Sequence, residues 1–473
     1  MLFNTLEFTF IFFPIVVILG IFIKKCYKVN FFFLFLIVCS LYFYGSFYPL
    51  YLILISGSIL LNFMSAKLLL KFENLFIKHA FFLFIIFCNL IILVYYKYFN
   101  FLIDNLNFFF KKEISQHHII LPLAISFFTF QQIAFITSIY KGEIKNFKFI
   151  KYFLFVSFFP QLIAGPIVKF KEFYPQLSKS KNILSNKNIT LGLYIFSIGM
   201  VKKIIISSYL ATIADPIFLS FESNIEVSKI DSWIGLIAFS LQIYFDFSGY
   251  SDMAIGLALC FGIKLPLNFF SPYKASSFKE FWNCWHITLS RFLKEHLYIL
   301  LGGNKKGTGR TLINIFLTML LGGIWHGASW NFLLWGAYHG LLIVLEKIVI
   351  NLNCLCRIRL HSYLRRPIIF SLITLGWIPF RCNDFTSAKL MLKNLFFSDT
   401  AGTNFNTPVF FIILIILFVV SLFPNSFQIQ SLLERKTFNR NNYLYLIIIY
   451  SIIFLLLYAP SQNINREFIY FQF

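Results

Sequence analysis

Two Trp-His pairs, Trp285-His286 and Trp325-His326, stand forty residues apart in a chain that otherwise reads as lipid-soluble. Histidine is costly to bury inside a membrane and there faces a cavity or a partner, so each pair marks a place where chemistry is expected. A neutral imidazole with an ordinary pKa near ~6.5 takes a proton from an attacking hydroxyl at neutral pH better than any other unperturbed side chain. His326 is the sharper candidate. It lies in Leu-Leu-Gly-Gly-Ile-Trp-His-Gly-Ala-Ser-Trp-Asn-Phe, where Gly322, Gly323, Gly327 and Ala328 strip bulk from around one ring and let backbone or substrate approach it. Residues 278–300 read as one amphipathic helix that puts Trp282, Trp285 and His286 on a shared face, with Lys279, Glu280, Lys294 and Glu295 at wetter positions. A lone histidine on an aromatic face is more often structural than reactive, so both roles stay open for His286. His296, His339 and His361 read as helix-end or packing residues, and His117-His118 as an interfacial pair.

Around the pairs runs a polar, aromatic and Gly/Pro-rich belt from about 242 to 340. Gln242, Asp246 and Asp252 fall in largely apolar surroundings, and buried carboxylates need partners or water, so a polar cavity is expected, with Asn331 also lining it. A bland role as helix caps or partners of a Lys or Arg fits the two aspartates equally well. Residues 264–274, with Pro266, Asn268 and Pro272, read as a broken stretch at the cytoplasmic mouth. Lys264, Lys274, Lys279, Arg291, Lys305, Lys306 and Arg310 would form a basic rim there, suited to an anionic, phosphorylated ligand. The Gly-rich stretch 301–310 is not a Walker loop, because Thr308 stands where its lysine belongs. Cys354-x-Cys356 with His361 reads as ordinary loop thiols rather than a metal site, and no metal is expected. No Gly-x-Ser-x-Gly elbow is present, nor a His followed four or five residues later by Asp.

The elements that must hold these residues are membrane helices. Of 473 residues 59% are hydrophobic and 13% charged, against roughly a quarter charged in soluble domains. Apolar runs at 8–23, 31–44, 50–64, 80–96, 119–139, 191–201, 234–245, 312–321, 332–349, 368–380, 409–423 and 444–458 predict an all-α polytopic protein with about 10 to 12 crossings of ~20 residues, some short, tilted or re-entrant. The first run lacks a small-residue cleavage site and reads as a retained helix. Lys24, Lys25 and Lys28, then Lys67, Lys71 and Lys78, and finally Arg435, Lys436 and Arg440 mark cytoplasmic loops, which places both termini outside. The formal charge of +22 sits mostly in such loops, so topology and anionic lipid account for it rather than nucleic acid. The whole chain, 1–473, reads as one integral-membrane domain: N-terminal helices to 118, a catalytic core over 119–350, and C-terminal helices with a tail from 351.

Three ordered motifs carry a family resemblance: Tyr-Phe-Asp-Phe-Ser-Gly-Tyr-Ser-Asp at 244–252, Phe-Trp-Asn-Cys-Trp-His-Ile-Thr-Leu-Ser-Arg-Phe at 281–292, and Gly-Gly-Ile-Trp-His-Gly-Ala-Ser-Trp-Asn at 322–331. With Phe-Asn-Thr-Leu-Glu-Phe at 3–8, Gln-Leu-Ile-Ala-Gly-Pro-Ile-Val at 161–168 and the closing Phe-Ile-Tyr-Phe-Gln-Phe, the chain resembles the membrane-bound O-acyltransferases over almost its whole length. The nearest branch acetylates alginate or peptidoglycan, and the teichoic-acid D-alanyl transferases stand further off. The resemblance implies a ring of helices with re-entrant pieces and funnels from both faces meeting at the catalytic histidine, His326, with His286 as a second active-site residue. It implies a cytoplasmic thioester donor, acetyl-CoA or an acyl carrier, no permanently bound cofactor, and an extracytoplasmic glycan acceptor. Peptidoglycan is favoured; alginate, another exopolysaccharide or D-alanyl transfer are the alternatives. It further implies a bacterial cytoplasmic (inner) membrane location and an extracytoplasmic partner with an SGNH-type, Ser-Asp-His esterase-like site. Similar aromatic endings in relatives make the Tyr470 hydroxyl an acyl acceptor in transit, beside the simpler reading of an interfacial aromatic. A transporter or flippase is the alternative from another class, but it calls for paired repeats, and none are found.

Overall fold

The computed structural model describes residues 1–117, 119–178, 183–356 and 361–398, and further on 412–413, 415–417, 419–420, 425–428, 431 and 468–469. Regular structure among the described residues is helical, without a strand, as a backbone in lipid requires. Among the described residues six helices are long and apolar enough to cross a membrane: Glu7–Cys26, Tyr51–Leu69, Leu75–Phe110, Asn186–Glu222, Gly307–His326 and Trp330–Ile350. Val29–Gly45 and Ile125–Tyr140 are shorter and apolar. The run at 119–139 turns helical only at Ile125, because Pro122 disfavours helix in the residue before it and Ala124 takes a left-handed φ of 63°. Most of 409–423 and all of 444–458 lie outside the described residues.

Two compact units divide the chain: 1–200, 250–266 and 438–461 in the first, 201–249, 267–437 and 462–473 in the second. In the first, polar side chains tie helices to one another. Asn62 and Asn89 exchange amide hydrogen bonds of 3.0 and 2.9 Å between the Tyr51–Leu69 and Leu75–Phe110 helices. Gln132 donates to Ser58 and accepts from Tyr152. Such bonds hold helices where lipid supplies no hydrophobic drive between them.

In the second unit, a three-residue connection joins the Gly307–His326 and Trp330–Cys356 helices, and small residues let the two approach backbone to backbone. A Cβ added to Gly323 would stand 2.3 Å from the Phe332 carbonyl oxygen, and one added to Gly336 would stand 2.6 Å from that of Met319. The cleared space around His326 is therefore largely filled by the neighbouring helix. Arg381, at the end of the Ser362–Arg381 helix, pairs with Asp215 and Glu222 of the Ser208–Glu222 helix.

The single helix expected over 278–300 is broken. Phe278–Cys284 and Ile287–Leu293 are separate helices, and Lys294–Tyr298 is a wider turn. Between the first two, His286 adopts φ 42°, ψ 53°, a left-handed conformation. The break is satisfied from elsewhere in the chain: Phe270 N–H donates to the Cys284 carbonyl and Ile287 N–H to that of Asn268, at 3.0 and 2.9 Å.

Candidate active site

His326 is the last residue of its helix and is 5% exposed. Three rings stand edge-on around it: Trp325 at 4.9 Å, Trp335 at 4.8 Å and Phe380 at 5.4 Å between centroids. His286, 1% exposed, packs against Phe247 at 4.7 Å and against Trp325 at 6.2 Å. The Trp325 indole thus touches both imidazoles, and the two Trp-His pairs belong to one buried aromatic cluster in the second unit.

Asn268, fully buried, orients His286. Its Oδ1 lies 3.0 Å from His286 Nδ1 and also accepts the Thr288 hydroxyl, at 2.9 Å, and the Thr288 N–H, at 3.3 Å. An acceptor shared in this way assigns the proton to Nδ1 and leaves the lone pair on Nε2. That Nε2 atom is buried and has no hydrogen-bond partner among the described residues. His286 sits in the loop between two short helices, outside the candidate spans, and burial pushes its pKa down to about 3, so it stays neutral. In sequence Asn268 reads only as part of a broken stretch at a mouth; its signal is an amide between Pro266 and Pro272.

The polar residues of the belt divide. Asp246 accepts a contact from Lys203 on Oδ1 and the Ile469 N–H on Oδ2, at 3.0 Å, so it is a structural partner of a lysine. Lys203 escapes a reading of the sequence because Lys202-Lys203 resembles any basic loop end. Gln242 keeps its buried Oε1 without a partner among the described residues. Asp252, 3% exposed, falls in the first unit. Asn331 donates to the Cys382 carbonyl at 2.8 Å and so ties two chain segments together. Of the basic rim, Lys305 and Lys306 are exposed just before the Gly307–His326 helix and Arg310 is exposed in its first turn, Lys274 and Arg291 are half-buried, and exposed Lys264 belongs to the first unit. Tyr470 lies outside the described residues, while its neighbours Phe468 and Ile469 are buried.

His339 is fully buried, edge-on to Trp282 at 5.2 Å and Trp335 at 5.0 Å, and neither ring nitrogen has a hydrogen-bond partner among the described residues. Packing suits it, but Trp335 links it to His326.

The profile of the membrane-bound O-acyltransferase family matches residues 140–378, a stretch that contains both Trp-His pairs. Over 423 residues, 84% of this chain and 80% of the relative, the sequence is 41% identical to a peptidoglycan O-acetyltransferase of Helicobacter pylori. It is 40% identical over 313 residues to a probable alginate O-acetylase AlgI of Pseudomonas aeruginosa, an alignment covering 65% of this chain and 58% of that protein. Against a teichoic acid D-alanyltransferase of Streptococcus thermophilus the identity is 29% over 240 residues, 47% of this chain and 56% of that protein.

Proposed function

The chain belongs to the membrane-bound O-acyltransferase family and is a multi-pass membrane acyltransferase; from that premise we propose that it moves acetyl groups from a cytoplasmic thioester to an extracytoplasmic cell-wall polysaccharide, with peptidoglycan the first choice. The observation that carries this reading is the meeting of both Trp-His pairs on Trp325. One imidazole ends a helix whose position is set by backbone contact, and the other is held in one orientation and tautomer by Asn268. The glycan choice is supported by the peptidoglycan-acetylating relative, aligned over most of both chains.

In the proposed reaction His326 takes the proton of an attacking hydroxyl. That oxygen bonds to the acyl carbon, the carbon–sulfur bond breaks, and His326 returns the proton to the leaving thiolate. His286 acts beside it through Nε2, which in this tautomer accepts a hydrogen bond. The cluster's aromatic walls exclude water and so suppress hydrolysis of the thioester. Acetyl-CoA or an acyl carrier is the donor, attracted by the basic helix start at Lys305, Lys306 and Arg310. Tyr470 is proposed as the first acceptor, carrying acetate outward to a separate SGNH-type enzyme; both termini then face outward across a bacterial inner membrane.

The test is label transfer. Purified chain given radiolabelled acetyl-CoA should acquire alkali-labile acetyl ester, and His326→Ala should acquire none while inserting normally. Labelling of His326→Ala at the wild-type level overturns the assignment, and a native chain that neither takes up label nor passes it to added polymer points to transport instead.

A further inference from the structure

A buried ion pair in the second unit has a connection that the transfer reaction alone does not call for. Lys203 and Asp246 are 5% and 3% exposed and contact each other directly, with the Ser207 hydroxyl 3.5 Å from the same carboxylate oxygen. Taking both charges out of water is costly, and apolar residues of similar size would usually serve stability as well. The geometry shows what the pair does instead. The second carboxylate oxygen of Asp246 accepts the main-chain N–H of Ile469, 223 residues away and four before the last residue of the sequence. The Lys203 ammonium stands 5.4 Å from the centre of the Phe468 ring. Phe468, 1% exposed, packs at 5.4 Å on Phe247, and Phe247 packs at 4.7 Å on His286.

We propose that Lys203 and Asp246 are positioning residues that clamp the C-terminal segment at Phe468–Ile469 against the aromatic wall of His286. The clamp has two points. The main-chain bond to Asp246 sets how far along the segment it is held, and the ring of Phe468, lodged between Lys203 and Phe247, sets its rotation. Either point alone leaves a degree of freedom; together they leave none. The ion pair is needed because a carboxylate accepts a main-chain N–H more strongly than a neutral acceptor does, and the lysine balances that carboxylate's charge in an apolar setting. The inference concerns the segment's anchorage, and only the activity arm of its test rests on the acetyl-transfer reading.

Removing Asp246 alone would strand a buried ammonium, so the test compares two doubly substituted full-length chains in lipid nanodiscs. Lys203→Met with Asp246→Asn discharges the pair but keeps an acceptor for Ile469, and Ser207 can receive the new amide. Lys203→Met with Asp246→Leu removes the acceptor at similar volume. Hydrogen–deuterium exchange of the C-terminal peptide should show the Ile469 amide protected in the native chain, retained to a large degree in the Met/Asn chain, and exchanging about tenfold faster or more in the Met/Leu chain. In cells, alkali-released acetate on wall polymer should fall in the Met/Leu chain and be rescued substantially in the Met/Asn chain. A Met/Leu chain whose C-terminal amides stay as protected as the native ones overturns the clamp, and loosened exchange with undiminished polymer acetate overturns its positioning role in transfer. The exchange arm reads the anchorage whatever polymer is acetylated.

Discussion

Gly323→Ala tests whether the site depends on two helices meeting at backbone distance beside His326. The added Cβ would lie 2.3 Å from the Phe332 carbonyl oxygen and 2.8 Å from Gly336 Cα. Carbon atoms rest about 3.5–4.0 Å apart, so the Gly307–His326 and Trp330–Cys356 helices must separate by roughly 1 Å at this point. The obstacles are backbone, so no flexible side-chain tip can move aside. His326 is three residues further along the same helix, less than a turn away. A misplacement of about 1 Å can cost on the order of 100-fold in rate, whereas overpacking costs only about 1–3 kcal/mol of stability. The variant should therefore insert and accumulate while polymer acetate falls about 100-fold. The assay is acetate released by alkali from wall polymer, normalised to chain in the membrane. Gly309→Ala, near the start of the same helix, meets nothing within 4 Å and gains about 1 kcal/mol of helix propensity, so it should leave acetate unchanged. Near-native acetate from Gly323→Ala would refute the reasoning.

Asn268→Ala should lower transfer about as much as His286→Ala, and the double variant should be no worse than either, because both remove one oriented Nε2; additive losses would separate the two residues. Tyr470→Phe deletes only a hydroxyl and should lose polymer acetylation almost as completely as His326→Ala; an active Tyr470→Phe chain would leave direct transfer at His326. Reversing Lys305, Lys306 and Arg310 to Glu should raise the acetyl-CoA concentration needed for half-maximal labelling and blunt its salt dependence. An unchanged donor requirement would restrict these residues to setting topology.

The helical class and both Trp-His pairs are legible in the sequence because each is an energetic anomaly: long runs without charge, and imidazoles between such runs in an otherwise lipid-soluble chain. Whatever depends on partners distant in the chain is not. The heptad-like spacing through 278–300 continues smoothly across His286, and only Asn268, eighteen residues earlier, reveals that the backbone turns there. Asp246 is recognisable as a buried carboxylate, but its lysine sits forty-three residues away in what reads as a loop end. The glycines before His326 read as clearance for backbone or substrate, and at Gly323 it is backbone that approaches; which backbone becomes apparent only once the two helices pair and Gly336 faces it.

All seven tryptophans of the chain lie between 233 and 377, within the second unit, and four of them (Trp285, Trp325, Trp335 and Trp377) are buried in or beside the aromatic cluster. The first unit holds none, so at an excitation wavelength selective for indole it is optically dark. Intrinsic emission from the unmodified protein is therefore a local signal rather than a global one. Occupancy of the site, or a change in how closely the rings stack, registers over a background from only three further indoles, Trp233, Trp282 and Trp330, all in the same unit. Ligand binding to this membrane enzyme can thus be followed in native lipid without attaching a dye.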